Sequence, residues 1–262
     1  MKILVIISSY RKNGHTSKVV DILREHLHGH ISEDPTQVNI EKIFLGDYKI
    51  NHCMGCRLCM EKGEEFCPLK DDVPILKEKM KQADAVVFAS PVYVGDVSSS
   101  MKALIDRFAY MCHRQEFYKK YALILATTNA TSLKRTIRTI GAATYSWGFK
   151  TIGTGGFKTD SSNDSIETIR KSYNKKIRKL AKRLIKEFKK KGYLDPSIIS
   201  LAAFKIQQKA RANPEVANSV DYKYWDEKGW RNKDTTYYID VETGIFKKFA
   251  AKMLYGLLSI VF

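Results

Sequence analysis

Two short segments of this chain contain the residue types that binding and redox chemistry require. The first is a polar loop at residues 8–17, with the sequence Ser-Ser-Tyr-Arg-Lys-Asn-Gly-His-Thr-Ser, which follows an apolar run at residues 2–7. A buried strand, a polar loop and a helix start predict an anion site, because N–H groups and the helix dipole favour negative charge there. The candidate phosphate-binding residues are Ser9, Arg11, Asn13, Thr16 and Ser17.

The composition of this loop narrows the kind of phosphate that it could bind. No Gly-Lys-Ser/Thr sequence follows, so the loop is not a Walker A loop, and the three glycines of a dinucleotide-binding loop are missing. A loop that is rich in hydroxyl groups and poor in glycine suits a terminal phosphomonoester better than a pyrophosphate.

The second segment contains four of the five cysteines of the chain. These four are Cys53, Cys56, Cys59 and Cys67. Their spacing is C-x2-C-x2-C-x7-C, and Pro68 follows the last of them. Four thiolates on one short loop can hold a [4Fe–4S] cluster, and a proline after the last cysteine is typical of ferredoxin sequences. Zinc is an alternative, since sites of four cysteines also bind zinc.

Alternating strand and helix patterns predict the sheet that positions both segments. The predicted strands are residues 2–7, 38–44, 83–90, 121–128 and 150–153. The predicted helices follow residue 17, cover residues 71–82, 98–113 and 131–147, and end with a long helix before residue 192. Five strands that alternate with five helices indicate a doubly wound parallel sheet. Residues 1–192 therefore form the predicted domain.

Residues 193–262 do not continue this alternation and are predicted to be a mostly helical extension. Residues 196–211 have a helical pattern, residues 221–230 are aromatic and irregular, and residues 245–262 have an apolar face. We expect the extension to pack on the domain or on a partner subunit, and a membrane surface is the alternative for residues 245–262. No stretch of about 18 uncharged apolar residues occurs, so no transmembrane segment is expected.

The loop after the predicted third strand contains residues that suit a flat ligand. Ligands of open α/β sheets bind outside the carboxyl ends of the strands, at the switch in strand order, so this loop should adjoin the phosphate loop. The candidates are Ser90, Pro91, Val92, Tyr93 and Gly95, with Thr128 and Asn129 after the fourth strand. Glycine lets the backbone approach a ring and tyrosine offers a stacking face. Such a pair of loops is what FMN requires.

Both loops resemble those of a known family. Residues 9–16, Ser-Tyr-Arg-Lys-Asn-Gly-His-Thr, resemble the SPRKNGNT phosphate loop of the flavodoxin-like NAD(P)H-dependent FMN reductases, with Tyr10 and His15 in place of Pro and Asn. Residues 90–93 and 102–108 resemble the SPVY…LKAFIDR segment of that family. The resemblance implies an α/β flavodoxin-like three-layer sandwich, with a five-stranded parallel sheet in the order 2-1-3-4-5. It also implies FMN as cofactor, NAD(P)H as co-substrate and a homodimer or homotetramer.

The cysteine spacing resembles that of archaeal and bacterial iron–sulfur flavoproteins, which share this fold. That resemblance implies electron transfer from ferredoxin through a [4Fe–4S] cluster to FMN, and then to a small acceptor such as a quinone or a flavin. Some flavodoxin-like reductases have a similar cysteine segment that shapes the rim of the active site or an oligomer contact, so free thiols stay an alternative. Two other functions also stay open, a non-enzymatic flavodoxin-type electron carrier and a flavin-free binding protein.

The charge of the chain limits its partners. The formal net charge is +17, and residues 165–262 contribute 22 Lys and Arg against 10 Asp and Glu. The basic residues lie off the apolar stripe of the last helix of the predicted domain, without interleaved aromatic residues for base stacking, so no nucleic-acid partner is expected. The N-terminal apolar run is too short for a signal peptide and the cysteines are clustered, so we expect a cytoplasmic location.

Overall fold

The computed structural model describes residues 1–29, 38–160, 164–190, 196–213, 216–241 and 243–258. Its strands are β1 (Lys2–Ile7), β2 (Asn39–Phe44), β3 (Ala85–Tyr93), β4 (Asp96–Val97), β5 (Tyr121–Thr128) and β6 (Lys150–Lys158). Five of them are parallel, in the order β2-β1-β3-β5-β6, which confirms the predicted order. The short β4 pairs antiparallel with the end of β3, so the sheet has six strands and not five.

Helices cover both faces of the sheet and confirm the three-layer sandwich. They are α1 (His15–Gly29), α2 (Leu58–Glu61), α3 (Val73–Gln82), α4 (Ser99–Arg107), α5 (Leu133–Ser146) and α6 (Ile166–Lys189). On one face, Val5 of β1 belongs to the same buried cluster as residues of α1 and α6. On the other face, Phe88 of β3 packs in a cluster with residues of α3, α4 and α5. Since both faces are buried, the central strands are apolar along almost their whole length.

The strand register brings three loops to one edge of the sheet. Ile7 at the end of β1 is level with Ala89 of β3, and Pro91 of β3 is level with Thr127 of β5. Because all three strands are parallel, the loops that follow β1, β3 and β5 meet at their carboxyl ends.

Two element boundaries differ from those predicted. The fifth parallel strand continues to Lys158 and not to residue 153, although Gly155 and Gly156 interrupt its pattern. An added Cβ at 155 would lie 2.8 Å from the Phe157 ring and 2.9 Å from a methyl group of Leu180 in α6, so a larger residue would force these buried side chains to shift. The helix predicted for residues 98–113 ends at Arg107, and a 3₁₀ turn over Ala109–Cys112 follows.

The C-terminal part contains α7 (Ile198–Ala210), α8 (Val220–Glu227) and α9 (Ile245–Leu258). The prediction that residues 221–230 are irregular is wrong over α8, which Ser219 caps by accepting the N–H of Tyr222 at 3.2 Å. The Trp225 ring is fully buried and stacks 5.4 Å from Phe204.

The predicted domain boundary at residues 192 and 193 lies outside the described residues. Within the described part of the chain, no helix is both long and apolar enough to cross a membrane.

Asp221 attaches α8 to the segment that follows α4. Its carboxylate lies 2.7 Å from Nδ1 of His113, pairs with Arg114, and lies 3.5 Å from Arg211. The indole N–H of Trp225 also donates to the carbonyl of His113 at 2.8 Å. Hydrogen bonds and charge pairing therefore join α8 to the sheet domain.

The His113–Asp221 pair predicts a loss of stability in mild alkali. The hydrogen bond to Asp221, and then the contact with Cys112, raise the pKa of His113 to about 9. The stabilisation is fully present below the ordinary histidine pKa of about 6.5 and is lost as pH rises through about 9. We expect the urea midpoint to fall across this range, and to fall less for His113→Gln. Equal pH slopes for the two proteins would contradict the assignment.

Candidate functional site

The loop between β1 and α1 is fixed to the neighbouring strand and helix by Ser8. The N–H of Ser8 donates to the carbonyl of Ala89 at 2.9 Å. Its own carbonyl accepts the hydroxyls of Ser98 and Ser100 at 3.1 Å and 2.9 Å. Past this anchor the chain enters α1, and the N–H groups of residues 15–17 lie in its first turn, where they lack an intrahelical carbonyl. They form the positive end of the helix dipole.

A cavity of about 130 Å³ lies beside this helix start, and we call it the strand-edge cavity. From the first loop and α1, the predicted residues Ser9, Arg11 and Thr16 line it. The predicted residues Pro91, Val92, Tyr93, Thr128 and Asn129 line it from β3, from β5 and from the residue after β5. The structure therefore brings residues of all three loops to one place.

Two predicted residues of the first loop lie outside this cavity. Asn13 is exposed and is absent from the lining. The hydroxyl of Ser17 points the other way, where it accepts from Lys42 Nζ at 3.3 Å and donates to Asp21 at 3.5 Å. For Ser17 only the backbone N–H faces the helix end, because successive side chains of a helix are rotated by about 100°.

Two predicted residues of the β3 loop also lie outside the lining and shape the backbone instead. Ser90 is buried, donates to the carbonyl of Pro91 at 2.8 Å and accepts the N–H of Ser98 at 3.2 Å. Gly95 has φ of +81° in the two-residue turn between β3 and β4, and Val94 before it has φ of +47°. A β-branched residue rarely adopts positive φ, so this exposed turn beside the cavity is strained.

Three further residues line the strand-edge cavity, although they were not among the predicted site residues: Gly14, His15 and Thr127. The buried hydroxyls of Thr127 and Thr16 lie 2.7 Å apart and join β5 to α1. Thr127 directly precedes the predicted Thr128. Its position at the carboxyl end of the strand is the sequence feature from which its place in the site could have been predicted.

His15 lines this cavity, and one of its ring nitrogens lacks a hydrogen-bond partner within the described residues. Its Nδ1 lies 3.2 Å from the hydroxyl of Thr159, whereas its Nε2 is buried without a hydrogen-bond partner. Burial, the largest effect, lowers the pKa of His15, with Lys18 and Arg11 adding to this and Asp164 opposing it. The lowered pKa favours a neutral imidazole at this position.

The four cysteines that the spacing singled out line a second and larger cavity, of about 660 Å³, which we call the cysteine cavity. All four are free thiols, with Cys53 and Cys56 exposed and Cys59 and Cys67 partly buried. Burial, and then the nearby Cys53 and Cys67, raise the pKa of Cys59. Among the described residues, no group of three or more His, Cys, Asp or Glu side chains is placed to hold a metal ion. The sulfur donors thus share one cavity without forming a closed coordination geometry.

A buried ion pair fixes the cysteine loop, residues 51–71, to α4. Arg107 pairs with Asp71, and their side chains are only 5% and 0% exposed. Asp71 also accepts the backbone N–H of Asn51 at 2.8 Å, so it joins the two ends of the loop. Arg107 in turn lies 3.6 Å from the sulfur of Cys67. The pair therefore controls the position of the last cysteine.

A second arginine connects the cysteine loop to the C-terminal part. Arg114 is buried, donates to the carbonyl of Cys59 at 2.5 Å, and pairs with Glu64 at 3.2 Å. The same guanidinium pairs with Asp221 of α8. Cys112, two residues earlier in the chain, is partly buried and lines neither cavity.

Two comparisons relate the sequence to known proteins. The family model of the NADPH-dependent FMN reductases matches residues 1–164. An iron-sulfur flavoprotein of Archaeoglobus fulgidus is 30% identical over 232 residues, which cover 88% of this chain and 100% of that protein.

Solved structures show the same fold at low identity. RosB, solved with bound 8-demethyl-8-formylriboflavin-5'-phosphate, has a TM-score of 0.57 at 16% identity and covers 94% of this chain and 92% of its own. The NAD(P)H:quinone oxidoreductase of Methanothermobacter marburgensis has a TM-score of 0.52 at 18% identity and covers 70% and 96%. The structural likeness establishes the fold, and the family model matches more than half of the sequence. The chain therefore belongs to the family of NADPH-dependent FMN reductases, and an iron–sulfur flavoprotein is among its full-length relatives.

Proposed function

We propose that this protein is an FMN-dependent oxidoreductase that passes electrons from NAD(P)H or ferredoxin to a small acceptor such as a quinone or a flavin. The observation that carries the proposal is the strand-edge cavity, where three loops surround the positive end of α1. FMN supplies the hydride and electron chemistry when it is bound, so the protein need only bind, orient and shield it.

The strand-edge cavity suits the 5'-phosphate of FMN. Its volume of about 130 Å³ fits a phosphate and not a whole flavin. The N–H groups of residues 15–17 at the positive end of α1 are the donors on offer, and Arg11 lines the same cavity. The flavin ring would then lie over the rim, where Tyr93 is 48% exposed and the strained turn at Val94 projects into solvent.

Replacing Arg11 with alanine is expected to weaken FMN binding by roughly tenfold to a hundredfold. This range corresponds to the ~1.5–3 kcal/mol of a hydrogen bond to a charged group. Titration of the apoprotein with FMN, followed by flavin fluorescence, measures the change. Lys12→Ala is the matched control, because Lys12 is in the same loop but pairs with Asp47 at 2.9 Å, outside the lining. If the two variants bind FMN equally well, Arg11 does not hold the phosphate.

The proposal extends to a [4Fe–4S] cluster held by Cys53, Cys56, Cys59 and Cys67. Four free thiols around one cavity are a suitable donor set, and their mutual repulsion when ionised favours a bound cation. The name of the A. fulgidus relative supports the same cofactor. The four thiols would hold the cluster, which would supply single-electron chemistry and so suits ferredoxin as the donor. Zinc or free thiols remain the alternatives that an iron analysis separates.

Turnover distinguishes an enzyme from a flavodoxin-type carrier. The net charge of +17 opposes the carrier function, because flavodoxins are usually acidic. Steady-state oxidation of NAD(P)H with a quinone should show turnover if the protein is a reductase. The absence of turnover with NADH, NADPH or reduced ferredoxin would instead support a carrier.

A cytoplasmic homodimer or homotetramer is part of the proposal, and sedimentation velocity of the holoprotein tests the assembly.

A further inference from the structure

The last described helix, α9, exposes one apolar face to solvent. The side chains of Ile245 and Phe246 are 84% and 91% exposed, and those of Phe249, Met253 and Leu257 are 62%, 58% and 65% exposed. At about 100° per residue these five side chains cover an arc of about 120° on the helix. An apolar arc of this width normally faces a core or another apolar phase.

The opposite face of α9 already has a partner. The helix packs against α7, and on that side Ala251 is buried while Leu254 and Tyr255 are partly buried. One face of α9 is therefore covered by another helix of the same extension, and the other face is left to be explained.

Positive charge borders the exposed face. Lys248 and Lys252 are exposed and lie within about 60° of the edge of the apolar arc. Residues 243–258 contain three lysines and neither Asp nor Glu. Lysine side chains beside an apolar face can extend toward anionic headgroups while the apolar residues enter the acyl region.

This charge pattern distinguishes between two possible partners of the exposed face, a second copy of the chain and a lipid surface. In a symmetric contact between two copies of the chain, the same lysine-bordered patch would face itself with no carboxylate on α9 to compensate. An anionic lipid surface offers both the apolar phase and the opposite charge. The described part of the helix has 14 residues, which is long enough to lie along a bilayer surface.

We propose that α9 binds the surface of an anionic lipid bilayer. The helix lies in the plane of the interface, with Phe246, Phe249 and Met253 inserted and with Lys248 and Lys252 at the level of the phosphates. This attachment would hold the protein at a membrane surface, and it does not depend on which acceptor the flavin site uses.

Sedimentation of the holoprotein with lipid vesicles tests the proposal. We expect it to bind vesicles in which a third of the phosphatidylcholine is replaced by phosphatidylglycerol, and to stay in solution with pure phosphatidylcholine. The double variant Phe249→Glu with Met253→Glu should lower vesicle binding by at least about tenfold. Because both side chains are mostly exposed, the variant should keep its FMN content and circular dichroism spectrum.

A second pair of variants separates a specific charge effect from the overall positive charge. Lys248→Gln with Lys252→Gln should weaken binding severalfold, since each basic residue near an anionic surface adds attraction. The control Lys179→Gln with Lys182→Gln removes the same charge from exposed positions of α6 and should leave binding unchanged. Equal losses in both pairs would overturn the proposal.

Two other outcomes would also overturn it. One is wild-type protein that stays in solution with anionic vesicles. The other is a fall in sedimentation mass on replacing Phe249 and Met253, without vesicle binding by the wild type, since that would make the face an interface between copies of the chain.

Discussion

Replacing Asp71 with asparagine is expected to lower the free energy of unfolding by about 3–5 kcal/mol, because it leaves Arg107 charged, buried and without its carboxylate. The two side chains are only 0% and 5% exposed, so water cannot replace the lost partner. Asp71 also accepts the N–H groups of Asn51 and Val73, at 2.8 Å and 3.3 Å, so the substitution loosens both ends of the cysteine loop. Urea denaturation of the two proteins measures the difference.

Asp106, the residue directly before Arg107, provides the control for this prediction. Asp106 pairs with Lys102 at 2.6 Å on the surface, where the side chains are 42% and 55% exposed. Asp106→Asn should change the free energy of unfolding by less than about 1 kcal/mol, as is usual for exposed ion pairs. If Asp71→Asn proves as mild as Asp106→Asn, the buried pair does not hold the loop in place.

Replacing Cys56 with serine is expected to abolish or strongly reduce iron binding while the FMN content stays the same. A [4Fe–4S] cluster is held by a set of four cysteine thiolates, and serine is a poor substitute for any of them. Cys56 is exposed and lies in the cysteine cavity, apart from the residues that line the strand-edge cavity, so neither folding nor the phosphate site should suffer. Colorimetric iron assay and flavin absorption on the same anaerobic sample provide both values.

Cys112→Ser is the matched variant, because Cys112 is a free and partly buried thiol that lines neither cavity. It should retain the iron content of the wild type. Equal iron contents in the Cys56→Ser variant and the wild type would show that the cysteine loop does not hold the metal.

The parallel sheet and the loops at its carboxyl edge could be predicted from the sequence because both depend on local patterns, whereas the strand order came from the family resemblance. Apolar runs of strand length alternate with helical periodicity, and a parallel sheet follows from that alternation. Since the carboxyl ends of parallel strands share an edge, Ser9, Thr16 and Tyr93 were expected together, and they line one cavity.

Side-chain direction at that edge could not be predicted in the same way. Thr16 and Ser17 are adjacent and chemically alike, yet one hydroxyl meets Thr127 in the cavity while the other meets Lys42. The difference depends on the rotation of α1 about its axis, which tertiary packing sets. His15 could not be predicted as a lining residue for a related reason, because the family pattern has Asn at this position.

Long-range pairing was the other feature that no local pattern indicates. Asp71 and Arg107 are 36 residues apart, and His113 and Asp221 are 108 residues apart. The helix α8 was missed because its aromatic residues look irregular in sequence, whereas Trp225 and Trp230 are buried against each other with ring centroids 5.4 Å apart. Their burial requires α7 and the segment before residue 241, which only the folded chain brings together.

Anaerobic purification followed by an absorption spectrum and by iron and acid-labile sulfide assays tests the central claim most directly. The proposal predicts the two absorption bands of oxidised flavin with a broad shoulder, about four irons and about four sulfides per chain. Flavin bands without iron would contradict the cluster and leave an FMN reductase with a loop of free thiols. A colourless protein that does not take up added FMN would contradict the flavin site itself.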